Sequence, residues 1–77
     1  MSPSLPAVSG RQVLAALRRT GFVLDRVTGS HHVLIHAGDA RRAVTVPFDG
    51  ARSLKPGTLR NIIRQSGLSV EEFRRLL

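Results

Sequence analysis

Gly29-Ser30-His31-His32-Val33-Leu34-Ile35-His36 is the stretch on which the reading of this chain turns. Gly-Ser is a turn signal, and the β-branched and apolar residues that follow signal a strand. The same stretch holds all three histidines of the chain. A histidine at the mouth of a strand, just after a flexible turn, can point out of the fold while the sheet holds its backbone. Its imidazole has an unperturbed pKa of about 6.5, so it can give or take a proton near neutrality.

Working outward from this strand, His31 to Ala37, the neighbours also read as β. Gly38-Asp39 is a hairpin turn signal, and Arg41 to Pro47 is the next strand, with Val44 and Val46 on one face and Thr45 on the other. Phe48-Asp49-Gly50 ends it. On the other side, Thr28-Gly29-Ser30 turns the chain out of a strand over Phe22 to Val27. Simple alternation puts Phe22 and Leu24 on one face and Val23 and Val27 on the other. Upstream, Ser9 with Gln12 three residues on forms a capping box, and Val13, Leu14, Ala16 and Leu17 make an apolar stripe. A helix over 10–20 follows, with Gly21 as its stop. Downstream, Pro56 suits the first turn of a helix whose stripe is Leu59, Ile62 and Ile63 and whose stop is Gly67. Ser69 with Glu72 makes a second capping box, and Phe73, Leu76 and Leu77 form the apolar side of a last helix.

The order is α-β-β-β-α-α. An α+β fold with a three-stranded antiparallel sheet and helices on one face is the natural packing. Residues 1–8 show no periodicity and read as a loose N-terminal leader, with a single domain over 9–77. Helices can cover only one sheet face, so the other, with Leu34 or its counterparts, is available to a protein partner.

A chain of 77 residues builds one compact core. It has no cysteine, which excludes disulfides, zinc–thiolate sites and a cysteine nucleophile. It has no apolar run of membrane-spanning length and no secretory signal, so a cytoplasmic protein is expected. Charge is the strongest global clue. Twelve Lys and Arg, eleven of them Arg, oppose five acids for a net charge of +7. Arginine matches phosphate oxygens with a planar fork, and nucleic acid is the leading partner.

Gly29-Ser30-His31, Val46-Pro47, Leu54-Lys55-Pro56-Gly57-Thr58-Leu59 and Ile62-Ile63-Arg64-Gln65-Ser66-Gly67-Leu68 together resemble the HicA family, small bacterial toxins of toxin–antitoxin pairs that cleave mRNA. The resemblance extends over residues 9–77 and includes Gly21-Phe22. It implies a fold like the double-stranded-RNA-binding domain. It also implies metal-independent ribonuclease activity with the histidine of Gly-Ser-His, here His31, as catalytic residue, and neutralisation by a HicB antitoxin. Many members carry a histidine after Val-Pro-x; here that place is Asp49.

Other constellations are less promising. His31 and His32 point to opposite faces of a strand, and His32 and His36 lie about 13 Å apart at roughly 3.3 Å per residue, so no metal site is expected. No cofactor is expected either. Ser30 beside His31 lacks the glycine-rich elbow of a serine nucleophile. Gly29 and Ser30 instead set the turn, and Ser30 can bond phosphate. Lys55, with the free N–H groups around Gly57 and Thr58 at a helix start, makes an anion site. Arg41, Arg42, Arg52, Arg60 and Arg64 are further phosphate candidates.

The function expected is a toxin that cleaves mRNA through His31 and arrests translation and growth. The partners are mRNA and a HicB-like protein that covers His31. The alternatives are a non-catalytic RNA-binding module of the same fold and a regulatory protein that docks on an acidic partner.

Overall fold

The computed structural model describes residues 5–48 and 52–77. Its elements are α1 (Gly10–Arg18), β1 (Phe22–Thr28), β2 (His31–His36), β3 (Asp39–Pro47), α2 (Pro56–Ser66) and α3 (Val70–Leu76). The three strands form one antiparallel sheet in the order β1-β2-β3. This is the expected α+β arrangement, like that of double-stranded-RNA-binding domains.

Local chemistry sets the helix ends. The Ser9 hydroxyl accepts from the Gln12 N–H at 3.3 Å, and the Gln12 side chain accepts from the Ser9 N–H at 2.9 Å. Ser69 and Glu72 repeat this box at 3.0 and 2.9 Å. Gly67 ends α2 at φ +80°, a setting that side-chain-bearing residues rarely adopt. Helix α1 stops at Arg18, two residues short of the expected end. Thr20 and Gly21 donate to the carbonyls three residues back, which tightens the last turn.

The core joins Phe22, Leu34, Val44 and Val46 of the sheet to Val13, Ala16 and Leu17 of α1, Leu59, Ile62 and Ile63 of α2, and Phe73 of α3. Each large side chain buried there is worth about 1.5–3 kcal/mol. Leu77, expected on the apolar side of α3, is 44% exposed.

Cross-strand register decides which face each residue serves, because directly opposed residues point the same way. Leu34 pairs with Leu24 and Val44, and is fully buried under the helices. Leu34 therefore does not face a partner. Val33, opposite Thr45, and Ile35, opposite Ala43, occupy the helix-free face with Val23. A bulge between Leu24 and Arg26 puts Val27 opposite His32. Val27 thus shares the side of Phe22 and Leu24, not that of Val23 as plain alternation predicts. One extra residue in a strand reverses the parity of everything after it.

The expected leader is also corrected in part. Residues 1–4 lie outside the described segments, but Val8 is a core residue at 3% exposure and Leu5 packs against the core. The Leu54 N–H donates to the Val8 carbonyl at 2.8 Å, and Ser9 bridges Ser53. The entry to α1 is therefore tied to the connection that precedes α2.

Candidate catalytic and nucleic-acid-binding site

The site is built on the tight turn between β1 and β2. Gly29 sits at φ +59°, where glycine carries no steric cost, and a Cβ there would meet nothing within 4 Å. Thr28 and His31 close the turn as a pair, and His31 is also paired with Pro47 of β3. The Ser30 carbonyl accepts from the Phe48 N–H at 2.6 Å. The backbone of the turn is thus held from both neighbouring strands, while the His31 side chain is exposed on the helix-free face.

Pro47 is also one wall of a depression lined by Arg52, Ser53, Leu54, Lys55 and Thr58. Lys55 is the N-cap of α2 and makes no side-chain cap bond. Pro56 has no N–H, so Gly57 and Thr58 present the first-turn amides. These amides and the positive end of the helix dipole favour an anion. A Cβ on Gly57 would also meet open space. Thr58 then joins this depression to a second one, lined by Gly57, Arg60, Asn61 and Arg64. Arg64 donates to the Asn61 side-chain carbonyl. A polar, basic track therefore runs from Pro47, the cross-strand partner of His31, past Lys55 to Arg60 and Arg64.

Two predicted phosphate ligands are not brought to this track. Arg41 and Arg42 stand near the start of β3, about 20 Å along the strand from Pro47 at roughly 3.3 Å per residue. Arg41 pairs with Asp39 at 3.3 Å. Arg42 donates to the Ser66 carbonyl at the end of α2, and its guanidinium lies 5.4 Å from the Phe22 ring centre. It serves as a strut between β3 and α2.

The other histidines divide as well. His36 lies at the far end of β2. Gly38 N–H donates to its Nδ1 at 3.0 Å, leaving Nε2, 3.1 Å from the Thr20 carbonyl, as the donor nitrogen of the neutral ring. His32 turns to the helix side, where its ring centre is 4.6 Å from that of Phe48. Among the described residues no three His, Asp or Glu side chains are grouped as metal ligands. Asp49 lies outside the described residues.

Sequence reasoning missed Phe48 and Gly10. A Cβ on Gly10 would come within 2.6 Å of the Pro47 carbonyl oxygen, so α1 starts against the backbone that faces His31. A glycine just inside a capping box, where it weakens a helix, was the available signal.

Among curated proteins, none matches this chain. A family model described as "HicA toxin of bacterial toxin-antitoxin" matches residues 10–68. The matched span starts at the first residue of α1, ends just past the Gly67 stop, and contains both the His31 turn and the start of α2. A match over most of the chain, on a fold of the expected order, means that this protein belongs to the HicA toxins of bacterial toxin–antitoxin systems.

Proposed function

We propose that the protein is an endoribonuclease toxin that cleaves mRNA with His31 as its catalytic residue. One observation carries this reading. The exposed His31 stands on a turn braced from β1 and β3, and its cross-strand partner Pro47 walls a depression that also takes in Lys55 and Thr58 at the start of α2. A phosphodiester seated on those amides and cations would place its ribose toward His31.

RNA supplies its own nucleophile. The 2′-oxygen attacks phosphorus, the bond to the 5′-oxygen breaks, and the products are a 2′,3′-cyclic phosphate and a 5′-hydroxyl. His31 either removes the 2′-hydroxyl proton or protonates the leaving 5′-oxygen. Lys55 and Arg60 stabilise the charge that builds on the phosphoryl oxygens. No step in this scheme calls for a metal. Cleavage in excess chelator, on an RNA whose structure is unaffected, is the expected result.

His31→Ala tests the assignment. The variant should fold, bind RNA and fail to cleave it, and its expression should not arrest growth. A folded His31→Ala protein that cleaves at the parental rate would overturn the reading. RNA binding with no cleavage by either protein would identify an RNA-binding module instead.

A HicB-like antitoxin completes the pair. It silences the toxin by covering His31, using the neighbouring cations and the apolar helix-free face. Val23 is 47% exposed there, beside Val33 and Ile35.

A further inference from the structure

We propose that His32 and Phe48 are positioning residues that hold the His31 turn through the contact of their rings. This proposal rests on the reading of His31 as the reacting imidazole.

His31 is exposed, and its side chain needs a rigid backbone to stay aligned with a phosphodiester. That backbone is the two-residue turn Gly29-Ser30, which is pinned at one further point, the bond from the Phe48 N–H to the Ser30 carbonyl. Phe48 follows directly after β3, at the end of its ladder with β2. An anchored ring helps to keep its amide on Ser30. The ring is anchored on one side by His32, with centres 4.6 Å apart and planes inclined by 45°. The Arg11 guanidinium lies 5.8 Å from the same ring centre. Gly10 completes the seat, because only a residue without Cβ lets α1 approach this close to the Pro47 and Phe48 backbone.

His32 lies on the opposite side of β2 from His31, so it grips the core side of the strand while His31 works on the open side. Its Nδ1 is buried. What His32 contributes is a flat face of the right size against Phe48. An apolar ring should therefore serve as well, whereas loss of the ring should loosen the turn.

The test uses the full chain with His32→Ala, His32→Phe and Phe48→Leu. Cleavage is followed under single turnover on a short fluorescein-labelled single-stranded RNA, and affinity on its 2′-O-methyl counterpart. Hydrogen exchange of the Phe48 amide reports the bond to Ser30 without any chemistry. His32→Ala and Phe48→Leu should slow cleavage by about 100-fold, the scale of a misplacement of about 1 Å. RNA affinity should be unchanged and protection of the Phe48 amide lost. His32→Phe should restore both rate and protection. Parental protection in folded His32→Ala overturns the clamp, whatever the protein does to RNA. A His32→Phe protein as slow as His32→Ala also overturns it, since the nitrogen would then be the needed feature. If His32→Ala does not fold, Phe48→Leu decides: parental protection and rate there reject the proposal. Failure of the His31 reading would show differently, as cleavage by His31→Ala with the Phe48 amide still protected.

Discussion

At the residue scale, similar side chains do different work because of what they touch. Arg42 braces β3 against the Ser66 carbonyl at the end of α2, whereas Lys55 and Arg60 line the track that starts at Pro47. Arg42→Ala should cost about 1–2 kcal/mol of stability through the lost carbonyl bonds and the ring contact, and leave RNA affinity alone. Lys55→Gln and Arg60→Gln should do the reverse. Each should lower the salt dependence of RNA binding by about one phosphate contact, with unfolding midpoints unchanged. Urea titrations beside binding isotherms at several salt concentrations separate the two classes. Gly10 offers a further check. Its Cβ would meet a backbone oxygen, which cannot swing aside, so Gly10→Ala should destabilise by about 1–3 kcal/mol.

At the element scale, the two capping boxes carry measurable weight. Ser9→Ala removes an acceptor for the Gln12 N–H at a nearly buried helix start, and should cost about 1 kcal/mol in urea unfolding. The box of α3 has a pH signature. The Ser69 N–H, then the Ser69 hydroxyl and Arg75, hold the Glu72 carboxyl below its ordinary value of 4.5. The ionised form is thus favoured by folding. Its contribution is present above that ordinary value and is lost as pH falls through the lower folded value. The stability gap between the parent and Glu72→Gln should therefore be widest above 4.5 and narrow as pH drops below it. A gap that stays constant across that range would show that the carboxylate charge adds nothing to the cap. Helix α2 is the exception in design. Its N-cap is a lysine without a cap bond, and the proposed phosphate contact would use the open donors that result.

At the scale of the whole molecule, charge and shape act together. A net charge of +7 on 77 residues speeds encounter with any negative surface, RNA or an acidic antitoxin alike. Under the proposed reading the antitoxin docks on the sheet face the helices leave open, which brings Val23, Val33, Ile35 and His31 to the same side. If the antitoxin covers His31 there, it should compete with RNA. The measurement is the RNA affinity of His31→Ala protein with and without a saturating HicB-like partner. A marked loss is expected; equal affinities would place inhibition away from His31. Among the described residues no helix is long and apolar enough to cross a membrane.

The sequence by itself determined the element order, both capping boxes, the Gly29-Ser30 turn and the placing of His31 at the mouth of a strand. These depend on chemistry within a few residues of chain, where hydrogen bonds and backbone preferences are local. Only the tertiary structure decided which cations share a surface with Pro47, the cross-strand partner of His31. Lys55, Arg60 and Arg64 reach the track because the start of α2 comes up beside Pro47, while Arg41 and Arg42 fall at the other end of β3. Likewise, one bulged position in β1 moved Val27 across the sheet, and Leu5 and Val8 of an apparently featureless stretch became part of the packing. The pairing of His32 with Phe48 spans the turn and a whole strand, and is invisible to any local pattern. Faces and neighbours are set by register and packing between segments distant in sequence, and no count along one segment contains them.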